Sequence, residues 1–400
     1  MTYISFVLKE RKMLSFAVSF TFMSSFGQTF LISLFVPYFL TAFDLSNASF
    51  GTLYSAATLT SATTLPWLGQ WIDRVSLKKY SLYVAFGLLA AALLMSVSWH
   101  IATLFVSLIL LRLTGQGLSG HTAQTTMARY GDLERGKALS ISALGYPLGE
   151  ALLPSLIAGL LVVFHWRTTW GLIAGTIAFL FIPVIYGLVK NERRVMEDDA
   201  DQDTDSVKKN YHTIFGDIRT YFVIPAILMP PFWVTGLFLY QIAAAESLGW
   251  TATLIATAFV SFAVFRILSG LVSGPLIDRF TAMKLFPLYL FPMITGFFIA
   301  WMFEANWAAF VYMALTGVTM GLGTTLKSAL WAEMYGTKMI GTVQSLFASL
   351  MVLSTSISPI LVGWMLDSTM TIHSVLMIAV ISSLIGVLFS IKILPVFNKK

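Results

Sequence analysis

The chain has 400 residues, of which 57% are hydrophobic and only 11% charged, against about 25% charged in ordinary soluble domains. That balance excludes a water-soluble globular fold. The absence of cysteine also removes metal–thiolate chemistry and any inference about redox compartment. A net charge of +6 would suggest a nucleic-acid partner for a soluble protein; in so apolar a chain it reports orientation, and no nucleic acid is expected.

Runs of roughly 20 or more apolar residues, each long enough to cross a ~30 Å hydrocarbon core, predict twelve spans. In chain order they cover residues 13–40, 47–71, 80–98, 101–126, 138–163 and 168–190, then 220–245, 250–276, 285–303, 306–329, 341–365 and 372–393. The first run is too long for a signal-peptide core and reads as a retained helix. Alternate connections carry the basic residues: all but Arg112, Arg167, Arg266 and Lys327 of the 25 Lys and Arg fall on one side. By the positive-inside rule both termini are cytoplasmic, in a multi-pass protein of the cell's inner (plasma) membrane.

The connections on the other side are short (residues 41–48, 98–100, 165–169 and 367–371), so no extracellular domain is expected there. The longest connection, residues 190–219, contains Asp198, Asp199, Asp201, Asp203 and Asp205 followed by Lys208 and Lys209. Such a composition cannot bury a core and reads as a linker. The expected organisation is an N-terminal bundle over residues 1–190, a linker over 191–219 and a C-terminal bundle over 220–400.

A loop pattern divides the chain the same way. Gly69-Gln70-Trp71-Ile72-Asp73-Arg74 with Lys79 recurs as Gly274-Pro275-Leu276-Ile277-Asp278-Arg279 with Lys284, and Tyr130-Gly131 with Gly136 recurs as Tyr335-Gly336 with Gly341. Every pair is offset by 205 residues. Two halves inserted the same way round are parallel repeats, the construction of secondary transporters with a midplane substrate site. The expected fold is therefore an all-α membrane protein with twelve transmembrane helices in two parallel-repeat six-helix bundles.

The doubled G-x-x-x-D-R-x-x-x-x-K resembles the loop signature of the major facilitator superfamily, over essentially the whole chain. The resemblance implies that Asp73, Arg74, Asp278 and Arg279 latch one conformational state. The second glycine of that signature is replaced by Ser76.

Charges inside spans cost from ~2.5 kcal/mol upward and so ask for a partner or a purpose. Arg112 in the fourth span and Glu150 in the fifth lie equally far from the loop joining them, which makes an ion pair between them geometrically natural. Glu150 is then either a structural partner of Arg112 or a protonatable coupling site. Arg266 lies near mid-depth in the eighth span with no acidic residue on its own helix above the loop. A guanidinium there suits a carboxylate ligand; the alternative is a structural pairing of Arg266 with Glu150 or with a backbone carbonyl.

Two segments sharpen that assignment. Gly145-Tyr146-Pro147-Leu148-Gly149 and Arg266-Ile267-Leu268-Ser269-Gly270-Leu271-Val272 resemble segments of the monocarboxylate porters. The resemblance implies that Arg266 holds a substrate carboxylate. Phe262 stands where those porters carry an Asp, and their first-span lysine has no counterpart here. Gln28, Tyr146, Trp233, Tyr240 and Gln241 are candidate cavity-lining groups. His121 is a candidate proton relay or a helix contact, and Lys327 can snorkel toward the interface.

Neither a P-loop nor a catalytic or metal-ligating spacing is present, so no enzyme is expected and no cofactor beyond a proton gradient as energy source. The leading expectation is a monomeric secondary transporter in the lipid bilayer that moves a small organic anion, first of all a monocarboxylate, together with protons by alternating access. Proton-driven efflux of hydrophobic or amphipathic compounds is the alternative within transport. A non-transporting sensor or scaffold acting through the acidic linker is the alternative outside it. Deleting residues 198–205 separates the last from the others: a transporter keeps its flux in reconstituted vesicles, whereas a scaffold loses its function.

Overall fold

The computed structural model describes residues 3–129, 135–189, 212–336 and 339–394. The acidic stretch of the expected linker lies outside the described residues. Among those described, all regular structure is helical. The cause is the solvent: hydrocarbon offers backbone groups no hydrogen bonds, so each span must satisfy its own.

Ten helices are long and apolar enough to cross a membrane. They are α3 (Leu77–Ser96), α4 (Ile101–Ala128), α5 (Gly136–Val163), α6 (Trp166–Val189), α7 (Ile218–Leu239), α8 (Ala252–Phe280), α9 (Ala282–Met302), α10 (Asn306–Tyr335), α11 (Thr342–Asp367) and α12 (Ile372–Ile391). An eleventh span, α1, is two helices, Ser5–Gly27 and Thr29–Phe43, bent by 48° at Gln28. The second predicted span is α2 (Asn47–Gly69), whose 23 residues reach roughly 35 Å. Its run of Thr52, Ser55, Thr58, Thr60, Ser61, Thr63 and Thr64 makes it less apolar than the others. The seventh predicted span ends earlier than expected: α7 stops before Tyr240, and a short separate helix, Gln241–Ser247, follows.

The helices fall into two compact units, Met1–Leu45 with Thr52–Asp198, and Ser46–Gly51 with Asp199–Lys400. In the first, α1 packs on α4 and α5, and α3 on α4 and α6. Large aromatic side chains fill the space between them, with Phe35 against Trp170 (ring centroids 4.9 Å) and Phe39 edge-on to Trp166 (5.2 Å). In the second unit α8 and α10 form the most extensive pair, while α7 packs on α11 and α12. A triangle of Phe238, Phe259 and Phe262 joins α7 to α8.

Three prolines, Pro225, Pro230 and Pro231, lie within α7. A proline cannot donate to the carbonyl four residues back, and in lipid that carbonyl must find another donor. For Pro230 the orphan is Ala226, and Tyr289 Oη donates to its oxygen at 2.7 Å. At the start of the same helix Asp217 accepts from Arg219 N at 2.9 Å and pairs with its guanidinium at 2.7 Å. Burial raises the carboxyl's pKa, but the bonds from Arg219 outweigh it and hold Asp217 below the usual carboxylate range. Ionised Asp217 therefore stabilises this cap at neutral pH, and the contribution is lost only as pH falls through the lowered value.

The first turn of α2 is held within the second unit by Asp367, at the end of α11. Its Oδ1 accepts from Asn47 N at 3.0 Å and Asn47 Nδ2 at 2.8 Å, and its Oδ2 from Ala48 N at 2.7 Å. A carboxylate on the free N–H groups of a helix start is favourable both as a cap and against the helix dipole. Replacing it should cost about 1–2 kcal/mol by the usual worth of such caps. Asp367→Ala is expected to lower the melting temperature of the purified protein, and Asp367→Asn, which keeps one acceptor oxygen, to lower it less.

Candidate functional site

The polar centre of the first unit forms around the break in α1. Gln28 has extended backbone (φ −83°, ψ 150°), so the helical ladder is interrupted there. Gly27 O, released by the break, accepts from Arg112 Nη1 at 3.1 Å. The Arg112 guanidinium also lies 5.1 Å from the centre of the Tyr54 ring, a cation–π distance. Tyr54 Oη bonds Thr29 Oγ1 at 2.9 Å, on the far side of the break. One buried arginine thus ties α4 to the break of α1 and to α2.

Two local features permit this. Residues Leu111–Ser119 of α4 are wound as a π-helix, a rarer geometry frequently found at functional sites, and Ser119 Oγ donates to Thr114 O at 2.7 Å within it. Opposite, α1 and α4 cross with almost no gap. A Cβ on Gly27 would stand 2.1 Å from Leu111 O and 2.4 Å from Gln116 N. Only a hydrogen atom fits there.

Glu150 is buried near the middle of α5. The segment that carries it is pressed onto α1: a Cβ on Gly145 would stand 2.1 Å from Thr21 Oγ1, and one on Gly149 would stand 2.0 Å from Ser25 Oγ. Tyr146 lies with its hydroxyl against Gly120 of α4. The porter-like Gly145–Gly149 pattern is thus a helix-packing device on the α1-facing side. The ion pair expected between Arg112 and Glu150 is not among the contacts of Arg112, which takes a backbone carbonyl and an aromatic ring instead. Equal depth along a hairpin fixes height but not the rotation of each helix, and rotation here aims Arg112 at α1.

His121 lies away from this centre. Its Nε2 is 3.1 Å from Gly69 O and its Nδ1 3.3 Å from Thr125 Oγ1, so the ring joins α4 to the end of α2. Nearby, Asp73 forms an ion pair with Arg129, the residue that follows α4. Arg74 turns back to Gln70 Oε1 at 2.9 Å. Arg129 is a partner that the sequence reading misses. Its position just beyond the fourth span, next to the repeated loop, is the signal that could have found it.

The second copy of the loop is built differently. Asp278 makes no ion pair among the described residues, and Arg279 stacks over Phe280 at 5.1 Å. The carboxylate that organises this turn is Glu333 of α10, whose Oε1 and Oε2 accept from Ala282 N at 2.7 Å and Met283 N at 2.9 Å. Equivalent loops are therefore secured by an ion pair in one half and by a helix cap in the other.

Arg266 stands at the midpoint of the 29-residue α8. Its guanidinium lies 5.9 Å from the ring centre of Phe262, one turn earlier, so the residue that replaces the porters' Asp offers an aromatic face to the cation. Behind it α8 and α10 are in close contact. A Cβ on Gly317 would stand 2.3 Å from Phe262 O, and one on Gly321 would stand 2.2 Å from Arg266 O. Small residues are what let membrane helices approach this far.

Three of the candidate lining groups are packed side chains of the second unit. Trp233 Nε1 donates to Ser382 Oγ at 2.9 Å. Tyr240 Oη donates to Asn47 O at 2.7 Å and Pro359 O at 3.0 Å, which fixes the chain where α7 ends. Gln241 borders a small cleft with Leu237, Trp250, Ile255, Tyr312 and Leu376. Gln28, by contrast, is half-buried at the break of α1. Among the described residues no group of His, Asp or Glu is arranged to hold a metal ion.

The family model of the Major Facilitator Superfamily matches residues 17–244 and again residues 221–399. The chain belongs to that superfamily: it is a multi-pass membrane transporter and not an enzyme. Solved structures agree on the fold. The nucleoside transporter NupG, in a single-residue mutant, superposes with a TM-score of 0.76 at 13% identity, over 96% of this chain and 99% of its own. A D-xylose-proton symporter gives 0.74 at 16% identity over 100% of both chains. An inward-facing bacterial homolog of the human lysosomal transporter Spinster gives 0.68 at 16%, over 99% of this chain and 96% of its own. No curated protein sequence matches significantly.

Gly27 tests the geometry of the α1 break. Its nearest neighbours are backbone atoms, which cannot swing aside, so overpacking should cost at least the usual ~1–3 kcal/mol. Gly27→Ala is expected to lower the melting temperature clearly, whereas Gly159→Ala, where a Cβ meets nothing within 4 Å, should leave it unchanged.

Proposed function

We propose that this protein is a proton-coupled secondary transporter of a small organic anion, a monocarboxylate in the simplest case, working by alternating access. The observation that carries the reading is the sign of the charge at mid-span in the second unit. Arg266 sits at the centre of α8, and every carboxylate of that unit's spans lies near a helix end. A guanidinium in hydrocarbon is costly and grips a carboxylate through two parallel hydrogen bonds. Its stacking on Phe262 and the close α8–α10 contact behind it would hold it in place for that task.

Glu150 is the carboxylate proposed to take the proton. It is buried at mid-span on α5, the helix pressed against the broken α1. Protonation removes a charge whose burial opposes movement of the bundle, and anion binding at Arg266 removes another. With both neutralised, the protein could change state at lower cost. Arg112 holds the α1 break and would set the local potential, while Gln28 and Tyr146 would contact the bound molecule. Asp73 with Arg129, and Arg74, Asp278 and Arg279 at the repeated loops, would stabilise one state of the cycle. The placement proposed is the inner (plasma) membrane, with both termini cytoplasmic and the monomer as the working unit.

A ligand that binds only the folded protein stabilises it by about 2.7 kcal/mol at a hundred times its dissociation constant. Purified protein is therefore to be melted against a panel of small carboxylates at pH 5.5 and 7.5, beside Arg266→Ala and Glu150→Gln. A carboxylate should raise the wild-type melting temperature, more at the lower pH. Arg266→Ala should abolish the shift, and Glu150→Gln should keep it while losing its pH dependence. Stabilisation by lipophilic cations or neutral compounds, with none by carboxylates, would sink the anion reading in favour of efflux.

A further inference from the structure

The crossing of α1 and α4 carries two polar side chains that its packing does not use. Gln28 stands at the break of α1, and Gln116 lies in the π-wound stretch of α4. Their backbones meet at facing glycines. A Cβ on Gly27 would stand 2.9 Å from Gly115 Cα and 2.4 Å from Gln116 N, and one on Gly115 would stand 2.8 Å from Gly27 Cα.

Each glutamine is the residue that follows one of those glycines. Three connections separate α1 from α4, so the two helices run in opposite directions. In right-handed helices so arranged, the residue after each facing position turns to the same flank of the contact. Gln28 keeps to this rule, since its φ of −83° is close to helical and only its ψ departs. Both carboxamides therefore start from one side of one crossing.

Neither carboxamide is spent on the protein. The Gln28 backbone is engaged, its N donating to Ser25 O at 3.0 Å and its O accepting from Leu31 N and Ile32 N at 3.2 Å. The side chains of Gln28 and Gln116 are half-buried and have no hydrogen-bond partner among the described residues. Hydroxyls nearby are satisfied on their own helices: Ser24 donates to Thr21 O, Ser33 to Phe30 O and Thr114 to Leu110 O. A carboxamide has two N–H donors and an acceptor oxygen to satisfy, and leaving them unmet in hydrocarbon is costly. Two such amides at one crossing call for a polar partner from outside the chain, water or a ligand that replaces it. A buried group at the same place points the same way. Arg112, which bonds Gly27 O, is 5% exposed, and its Nε has no acceptor among the described residues.

We infer that Gln28 and Gln116 form a ligand subsite that reads hydroxyl groups, so that the transported organic anion is a hydroxy acid. This deepens the anion reading and rests on it. A hydroxyl both donates and accepts, as a carboxamide does, whereas a carboxylate only accepts and would leave both amide oxygens unmet. A plain alkyl chain would displace water and leave both amides unpaired. That penalty, more than the bonds themselves, is what discriminates against it.

The test is equilibrium binding to the purified full-length protein at pH 7.5, where every carboxylate is ionised. Lactate and glycerate are compared with propionate, and gluconate with hexanoate. The wild type should bind at least one hydroxy acid about tenfold or more tightly than the plain acid of equal length. Gln28→Met and Gln116→Met keep the shape of the side chain and remove its polar ends. Each should cut that ratio about threefold or more, and the two together should bring it close to one. Neither should lower the melting temperature, because the amides bond nothing in the protein. A ratio near one in the wild type, a ratio unmoved in the double variant, or a melting temperature lowered by both replacements overturns the subsite and leaves the anion reading standing. Binding of neither series overturns the anion reading and the hydroxy-acid subsite with it.

Discussion

In hydrocarbon a backbone N–H or C=O has no partner except one the chain supplies, and most of this structure follows from that demand. It makes the spans helical, and it makes any break in a helix expensive. Where α1 breaks at Gln28, the released Gly27 carbonyl is taken by Arg112; where Pro230 leaves Ala226 without a donor, Tyr289 supplies one. At both places a side chain from another helix supplies the bond, so it also fixes how two helices are placed within their unit. One such coupling joins α1, α2 and α4 through one arginine and one tyrosine.

The same solvent decides where helices can touch closely. Apolar side chains gain nothing by leaving lipid for protein, so association relies on close packing and polar contacts. Gly27 against the π-wound part of α4, Gly145 and Gly149 against α1, and Gly317 and Gly321 against α8 are places where a single methyl would not fit. These contacts border the embedded charges in both units. Arg112, Glu150 and Arg266 sit on helices that make these close contacts.

The two halves share a sequence repeat but not a mechanism of closure at the repeated loop. In the first, Asp73 pairs with Arg129; in the second, Glu333 caps the backbone of α9. The embedded charges diverge as well, mixed in the first unit and positive in the second. The repeat supplies a symmetric scaffold, and the chemistry is written in the departures from symmetry. The solved structures of the same fold include a nucleoside transporter and a D-xylose-proton symporter, so the scaffold by itself does not select a ligand.

Hydropathy, charge bias and the repeated loop were enough to read the membrane-spanning class, the twelve helices and the superfamily from the sequence, because apolar length and loop charge are local properties. Even Ser/Thr-rich α2 was legible by its length. The positions of Arg112, Glu150 and Arg266 within their helices were legible for the same reason. What each side chain faces was not, since that depends on the rotation of one helix about its axis relative to its neighbours, which residue counting along a hairpin does not contain. Tertiary packing alone turned Arg112 to the α1 break instead of to Glu150, committed Trp233 and Tyr240 to the core, paired Asp73 with Arg129, and folded Lys327 back toward Gly323. Sequence determines which groups are placed in the membrane and how deep; the packing of one helix against the next decides what they meet.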